Sequence, residues 1–274
     1  MEFFDLLSYS FFRNALLGSL FASIACGMIG TYIVIRRLVF ISGGITHASL
    51  GGIGMGFFFG LNPILSALIF SILSAFGIEW LSSRQGIRED SAIASFWSLG
   101  MAIGIIFVYL TPGVAPNLSD YLFGNILTVT QTDILWLAIL SVVLFFVFAL
   151  YGREILYSAF DPDFARTRKL PVTLIKYVMM FFIACTIVLS IRLVGIVLLM
   201  SLLTVPQMTA NLFTSNFNKM IVLSVLIGFA GCIIGLFLSA VLGVPSGVFI
   251  IFTQIVIFLI VRGAVRLKKK SLSA

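Results

Sequence analysis

The chain is expected to fold as an all-α integral membrane protein, a polytopic bundle of about nine (eight to nine) transmembrane helices with one short capped helix in a cytoplasmic loop. Three observations lead there. Hydrophobic residues make up 61% of the sequence and charged residues only 10%, whereas soluble domains carry about 25% charged residues. Apolar runs of about 20 residues recur along the chain, the length a helix needs to cross a hydrocarbon core about 30 Å thick. The basic residues fall in the short stretches between those runs. A net charge of +7 in that setting reports orientation in a bilayer rather than nucleic-acid binding. The runs are too long for β-barrel strands and do not alternate polar with apolar residues. Residues 1–274 read as a single transmembrane domain.

Taken in order, the spans are expected at 10–35, 41–60, 63–82, 91–110, 133–151, 171–190, 193–213, 219–241 and 244–263. The first is too long for a cleaved leader and lacks a small-residue cleavage site. If the stretch after it is cytoplasmic, only Arg13 and Arg192 of the 17 lysines and arginines lie outside. That asymmetry puts the N-terminus outside and the C-terminus inside.

The second span organises the rest. Residues 38–60 read LVFISGGITHASLGGIGMGFFFG and contain His47, the one histidine of the chain. Gly44, Ala48, Gly52, Gly56 and Gly60 recur at every fourth position, a ridge along which another helix can approach backbone to backbone. Gly43, His47 and Gly51 form the neighbouring ridge, which turns the imidazole toward protein or a cavity. An ionisable ring at membrane depth is costly unless paired or used. Two readings of His47 stand side by side: a transient metal ligand and a hydrogen-bonded packing residue.

Two loops are longer than simple connections. In the external one, 111–132, Pro112, Gly113 and Pro116 end the fourth span. Residues 118–126 are apolar enough to re-enter the protein, or to form a lid over it. Its acids, Asp120 and Asp133, suit helix caps. The internal loop, 152–170, reads GREILYSAFDPDFARTRKL. Asp161 followed by Pro162 is a strong helix start, Asp163 suits the positive helix end, and Arg166, Arg168 and Lys169 suit the negative end before Pro171. This short helix either rests on lipid headgroups or docks a cytoplasmic partner. In the seventh span Pro206 removes a backbone donor and crowds the carbonyl of Leu202, so a kink is expected there, static or hinged. Ser201 and Thr204 are placed to take up the freed groups.

Several chemistries find no support. No G-x-x-x-x-G-K-[ST] phosphate loop occurs, so ATP hydrolysis of the P-loop kind would need another chain. The lone histidine has no neighbouring acid for a Ser/His/Asp set. Cys26, Cys185 and Cys232 sit singly on three spans without C-x-x-C spacing and read as buried thiols. The nine methionines are scattered. A non-catalytic pathway protein is favoured over an enzyme.

Four stretches resemble the membrane permease subunits of bacterial ATP-binding-cassette importers for divalent metals, the zinc/manganese/iron group called ABC-3. They are Arg36-Arg37 leading into His47-Ala48-Ser49; residues 121–130, YLFGNILTVT; Asp161-Pro162-Asp163-Phe164-Ala165; and Val194-Gly195 through Ser201-Leu202-Leu203 to Pro206. In this order they cover nearly the whole chain. The resemblance implies a homodimer in the bacterial cytoplasmic (inner) membrane, surrounded by lipid and binding no nucleic acid. It implies two copies of a separate cytoplasmic ATP-binding subunit and an extracytoplasmic metal-binding solute-binding protein. It makes the Asp161–Lys169 helix the coupling helix that fits a groove of the ATPase, with Asp161, Pro162, Asp163, Phe164, Ala165 and Arg166 as its coupling residues. It implies no permanently bound cofactor, the metal being cargo. Many members carry an aspartate four residues before the histidine; here that position is Gly43, leaving Asp120 or Glu79 as substitutes. With a nitrogen ligand and no acid beside it, zinc is the expected cargo over manganese or iron. Relatives often end the coupling helix with glycine where this chain has Lys169. The alternatives are a siderophore or cobalamin permease, whose chains are longer with ten spans, and an ATP-independent channel or secondary transporter.

Overall fold

A computed structural model describes residues 8–112 and 129–272. Among the described residues there are ten α-helices: α1 (Ser10–Ile35), α2 (Val39–Phe58), α3 (Pro63–Gln85), α4 (Glu89–Leu110), α5 (Gln131–Phe160), α6 (Pro162–Thr167), α7 (Val172–Leu202), α8 (Val205–Asn211), α9 (Phe217–Leu242) and α10 (Ser246–Leu272). Eight segments in these helices are long and apolar enough to cross a membrane. The helix α2 is not among them, because its glycines, hydroxyls and His47 dilute its hydropathy. It needs no lipid-compatible surface, since α4, α3 and α7 enclose it and most of its residues are buried.

The bundle has two wings. One is α2, α3 and α4; the other is α8, α9 and α10. Between them α1 packs against α5, α7 and α9, while α7 reaches α2, α3, α5 and α10. The buried core runs through these two central helices, from Ile29 and Ile33 to Ile183, Ile187 and Leu198. Cys26, Cys185 and Cys232 are free and buried, as their spacing suggested.

Local sequence explains several helix ends. The Asn62 side chain accepts from the amides of Ile64 and Leu65, and Pro63 begins α3 without an amide to satisfy. Thr130 and Asp133 form a reciprocal capping box at the start of α5, so Asp133 is a cap. Asp120 and the re-entrant or lid segment 118–126 lie outside the described residues.

Three boundaries differ from the sequence reading. The loop expected from 152 is helical as far as Phe160, with a local kink at Tyr151 that ends the regular apolar part of α5. The sixth and seventh spans, Val172–Ile191 and Leu193–Asn211, lie close to those expected, but no loop parts them at Arg192. They join in one long helix broken at Gly195, whose φ of 72° and ψ of 167° only glycine adopts without strain. Gly60 lies beyond the end of α2, so the small-residue ridge stops at Gly56.

Candidate functional site

The ridge on α2 faces two helices. A Cβ on Gly44 would meet Ile93 of α4 at 2.4 Å, whereas Gly52 and Gly56 lie against Ala67 and Pro63 of α3 at 2.6 and 2.8 Å. Ala48 faces Gly100, and a Cβ built on Gly54 would stand 2.4 Å from the Gly104 carbonyl oxygen. These pairs rise together in number, so α2 and α4 run in the same direction and touch backbone to backbone. That contact brings Trp97 over His47. The two rings stack with centroids 4.3 Å apart and an angle of 15°. On the next turn toward the start of α2, a Cβ at Gly43 would meet the Met200 Cε at 2.9 Å and Trp97 at 3.2 Å. The missing acid at 43 thus coincides with space that Trp97 and Met200 fill.

His47 is half-buried, and its Nδ1 lies 2.8 Å from the Gly43 carbonyl oxygen. A carbonyl only accepts, so Nδ1 carries the proton and the lone pair of the neutral ring sits on Nε2. The imidazole is held by its own helix and by Trp97, with one nitrogen left to take a cation. Among the described residues no three His, Cys, Asp or Glu side chains gather into a metal cage.

Glu79 does not join His47. Its carboxylate is 1% exposed and receives Arg36 at 3.4 Å, Lys176 at 3.7 Å and the Ser83 hydroxyl. Arg36 also reaches Glu89 at 2.9 Å and donates to the Tyr32 hydroxyl at 3.2 Å. This buried ionic network ties together the end of α1 and the helices α3, α4 and α7. Sequence reasoning missed it, although an acid inside the span expected at 63–82 was the signal.

At α6 the start of the helix is as the sequence predicts. The Asp161 carboxylate accepts from the amides of Asp163 and Phe164 at 3.1 and 2.9 Å, with Pro162 at the first helical position. Arg166 pairs with Asp163 at 2.9 Å. Ala165 is buried, while Asp161, Asp163, Phe164 and Arg166 are exposed. Phe164 packs edge-on against Tyr157 and under Arg168. The helix ends sooner than expected, at Thr167, in a Schellman turn: Leu170 N–H bonds the Ala165 carbonyl and Lys169 N–H that of Arg166. Lys169 takes the left-handed position with φ of 59°. That conformation favours glycine by about 1 kcal/mol, so a glycine would suit this position better than lysine.

Pro206 sits near the start of α8, after a break at Leu203–Thr204. The carbonyl of Leu202 that it orphans is taken by Gln207 Nε2 at 3.1 Å, which also bonds the Cys26 carbonyl of α1 at 2.8 Å. Ser201 instead donates to Gln254 of α10, and Thr204 bonds the Met200 carbonyl at 2.8 Å. The expected role of Ser201 thus falls to Gln207, because its longer side chain spans the break.

Comparison with known proteins adds to this geometry. Residues 8–263 match the ABC 3 transport family. The chain is 39% identical to the uncharacterized membrane protein slr2045 of Synechocystis, over 93% of this chain and 90% of that one. It is 33% identical to the manganese transport system membrane protein MntC of Halalkalibacterium halodurans, over 93% and 88% of the two chains. Its fold is similar to a chain of PsaBC from Streptococcus pneumoniae in complex with Fab, with a TM-score of 0.82 and 29% identity over 93% of this chain and 92% of that one.

Proposed function

The chain belongs to the ABC 3 transport family, and on that premise we propose that it is the permease of an ATP-driven importer that carries zinc into the cytoplasm. Two copies enclose the path, a separate ATPase drives it from the cytoplasm, and an extracytoplasmic binding protein loads it. In this reading α6 and the C-terminus face the cytoplasm and the N-terminus faces outside, as the basic residues require. The observation that carries the reading is α6: a capped helix anchored through buried Ala165, with Asp161, Asp163, Phe164 and Arg166 exposed. A helix resting only on lipid would turn its apolar side chains to the membrane and leave no reason for so rigid an exit into α7.

His47 takes the cation briefly through Nε2 as it passes between α2, α4 and α7. Zinc follows from its donor, an imidazole rather than a carboxylate. Manganese is the second reading, favoured by the relative named for manganese transport. The small residues Gly44, Ala48, Gly52 and Gly56 let α2 shift against its neighbours, and Pro206 with Gln207 forms the break about which the second half of α7 tilts.

Crosslinking tests the docking. Cysteines placed at Asp163 or Arg166, each as a single substitution, are expected to crosslink to the ATPase subunit in an assembled, active complex. A cysteine at Tyr109, 86% exposed on α4, is expected to give none. An active complex without crosslinks from α6 removes the docking claim.

A further inference from the structure

The buried ionic network has a fixed part and a movable part. Arg36, Glu79 and Glu89 belong to α1, α3 and α4, with Arg36 at the turn leading into α2, the helix that carries His47. Lys176 alone comes from α7, in the second turn after the Schellman exit from α6. The connection between α6 and α7 is four residues, 168–171, closed by the Leu170 to Ala165 and Val172 to Leu170 hydrogen bonds. A displacement of α6 therefore reaches the start of α7, and with it Lys176, without slack.

The contacts differ in how readily they part. Arg36 is 7% exposed and holds two carboxylates and a tyrosine hydroxyl. Parting it would leave Glu79 buried and poorly matched, which the protein resists. Lys176 is 16% exposed and stands 3.7 Å from Glu79, the longest contact of the set. If Lys176 leaves, Glu79 keeps Arg36 and Ser83, and the ammonium can reach water along its flexible stem. One ion pair can open while the rest of the network stays closed, which is what a two-position element requires.

We propose that Lys176 is a positioning residue for transport: its pair with Glu79 closes and opens as α6 moves, and so passes that motion to the helix group that holds His47. The inference rests on the importer reading and on the docking of α6. It assigns a coupling role to a side chain that touches neither cargo nor ATPase.

The test uses the complete complex in liposomes, with permease, ATPase and binding protein, and measures metal delivered per ATP hydrolysed. Lys176→Met keeps the apolar stem and removes the charge; Lys176→Arg restores it. Lys176→Met is expected to lower the metal-to-ATP ratio about fivefold or more, the scale of ordinary coupling energies, with ATP hydrolysis near the wild-type rate. Lys176→Arg is expected to recover the ratio. A wild-type complex that moves no metal ends the importer reading. A wild-type complex that moves metal, with Lys176→Met at the same ratio, ends the latch alone. A second variant guards against failed assembly: Glu79→Cys with Lys176→Cys, bridged by a reducible crosslinker. Bridging is expected to stop uptake, and reduction to return it to the lowered metal-to-ATP ratio of Lys176→Met. Uptake at an unchanged rate while bridged overturns the proposal.

Discussion

Arg36→Met is expected to destabilise the purified protein by about 3–5 kcal/mol. The guanidinium is 7% exposed and sits between Glu79, 1% exposed, and Glu89. Methionine fills similar space but leaves the Glu79 carboxylate with only the Lys176 ammonium at 3.7 Å and one serine hydroxyl. An uncompensated buried charge is what makes removal of one partner so costly, even where the complete network contributes little net stability. Glu89→Gln is the comparison. That side chain is 36% exposed, solvent screens its pair with Arg36, and a loss of about 1 kcal/mol or less is expected. Thermal unfolding in detergent measures both. Equal, small losses would contradict this role for Arg36.

Gly100→Ala is expected to abolish transport and lower stability, although alanine favours a helix over glycine by about 1 kcal/mol. The reason is steric. A Cβ at this position would lie 2.4 Å from the Ala48 Cα, a backbone atom that cannot rotate away. Relief requires α2 and α4 to separate, and overpacking of this kind costs about 1–3 kcal/mol. Separation also lifts Trp97 from His47, so the effect on uptake exceeds the effect on stability. Gly152→Ala provides the control. A Cβ there meets nothing within 4 Å, and the same substitution is expected to be neutral or slightly stabilising. If both alanine variants import metal at the wild-type rate, the close approach of α2 and α4 has no part in holding the site.

Hydropathy and charge made most of the architecture legible before any coordinates. The long apolar runs correspond to helices, and the aspartate–proline pair at 161–162 marked the start of α6 to the residue. Small residues on α2 foretold close packing, though not that its ridge divides between α3 and α4. What stayed hidden depends on distance along the chain. Arg36 meets Glu79 across 43 residues and Gln207 meets the Cys26 carbonyl across 181, and no periodicity relates such positions. The break at Gly195 escaped notice because a single glycine within an apolar run is common, and only the positive φ distinguishes it. Lys169 departs from the residue its turn prefers, a local conflict visible only once the backbone is known.

The candidate site follows the same division. His47 stood out as a candidate because ionisable groups in apolar spans are rare. Its orientation came from the Gly43 carbonyl and its cover from Trp97 on a helix two elements away. The role of Glu79 came from geometry alone, since an acid in a metal permease invites reading as a ligand. Here two cations and a hydroxyl already satisfy it.

The central claim is metal import through a path in which His47 is required, and cellular metal content tests it most directly. Metals would be measured by mass spectrometry in cells lacking this protein and any redundant importer, complemented with wild type or His47→Ala at matched expression. The expected result is that zinc falls without the protein, recovers with wild type and does not recover with His47→Ala. A fall in manganese instead keeps the importer and replaces its cargo. No change in any metal at limiting supply would contradict the account.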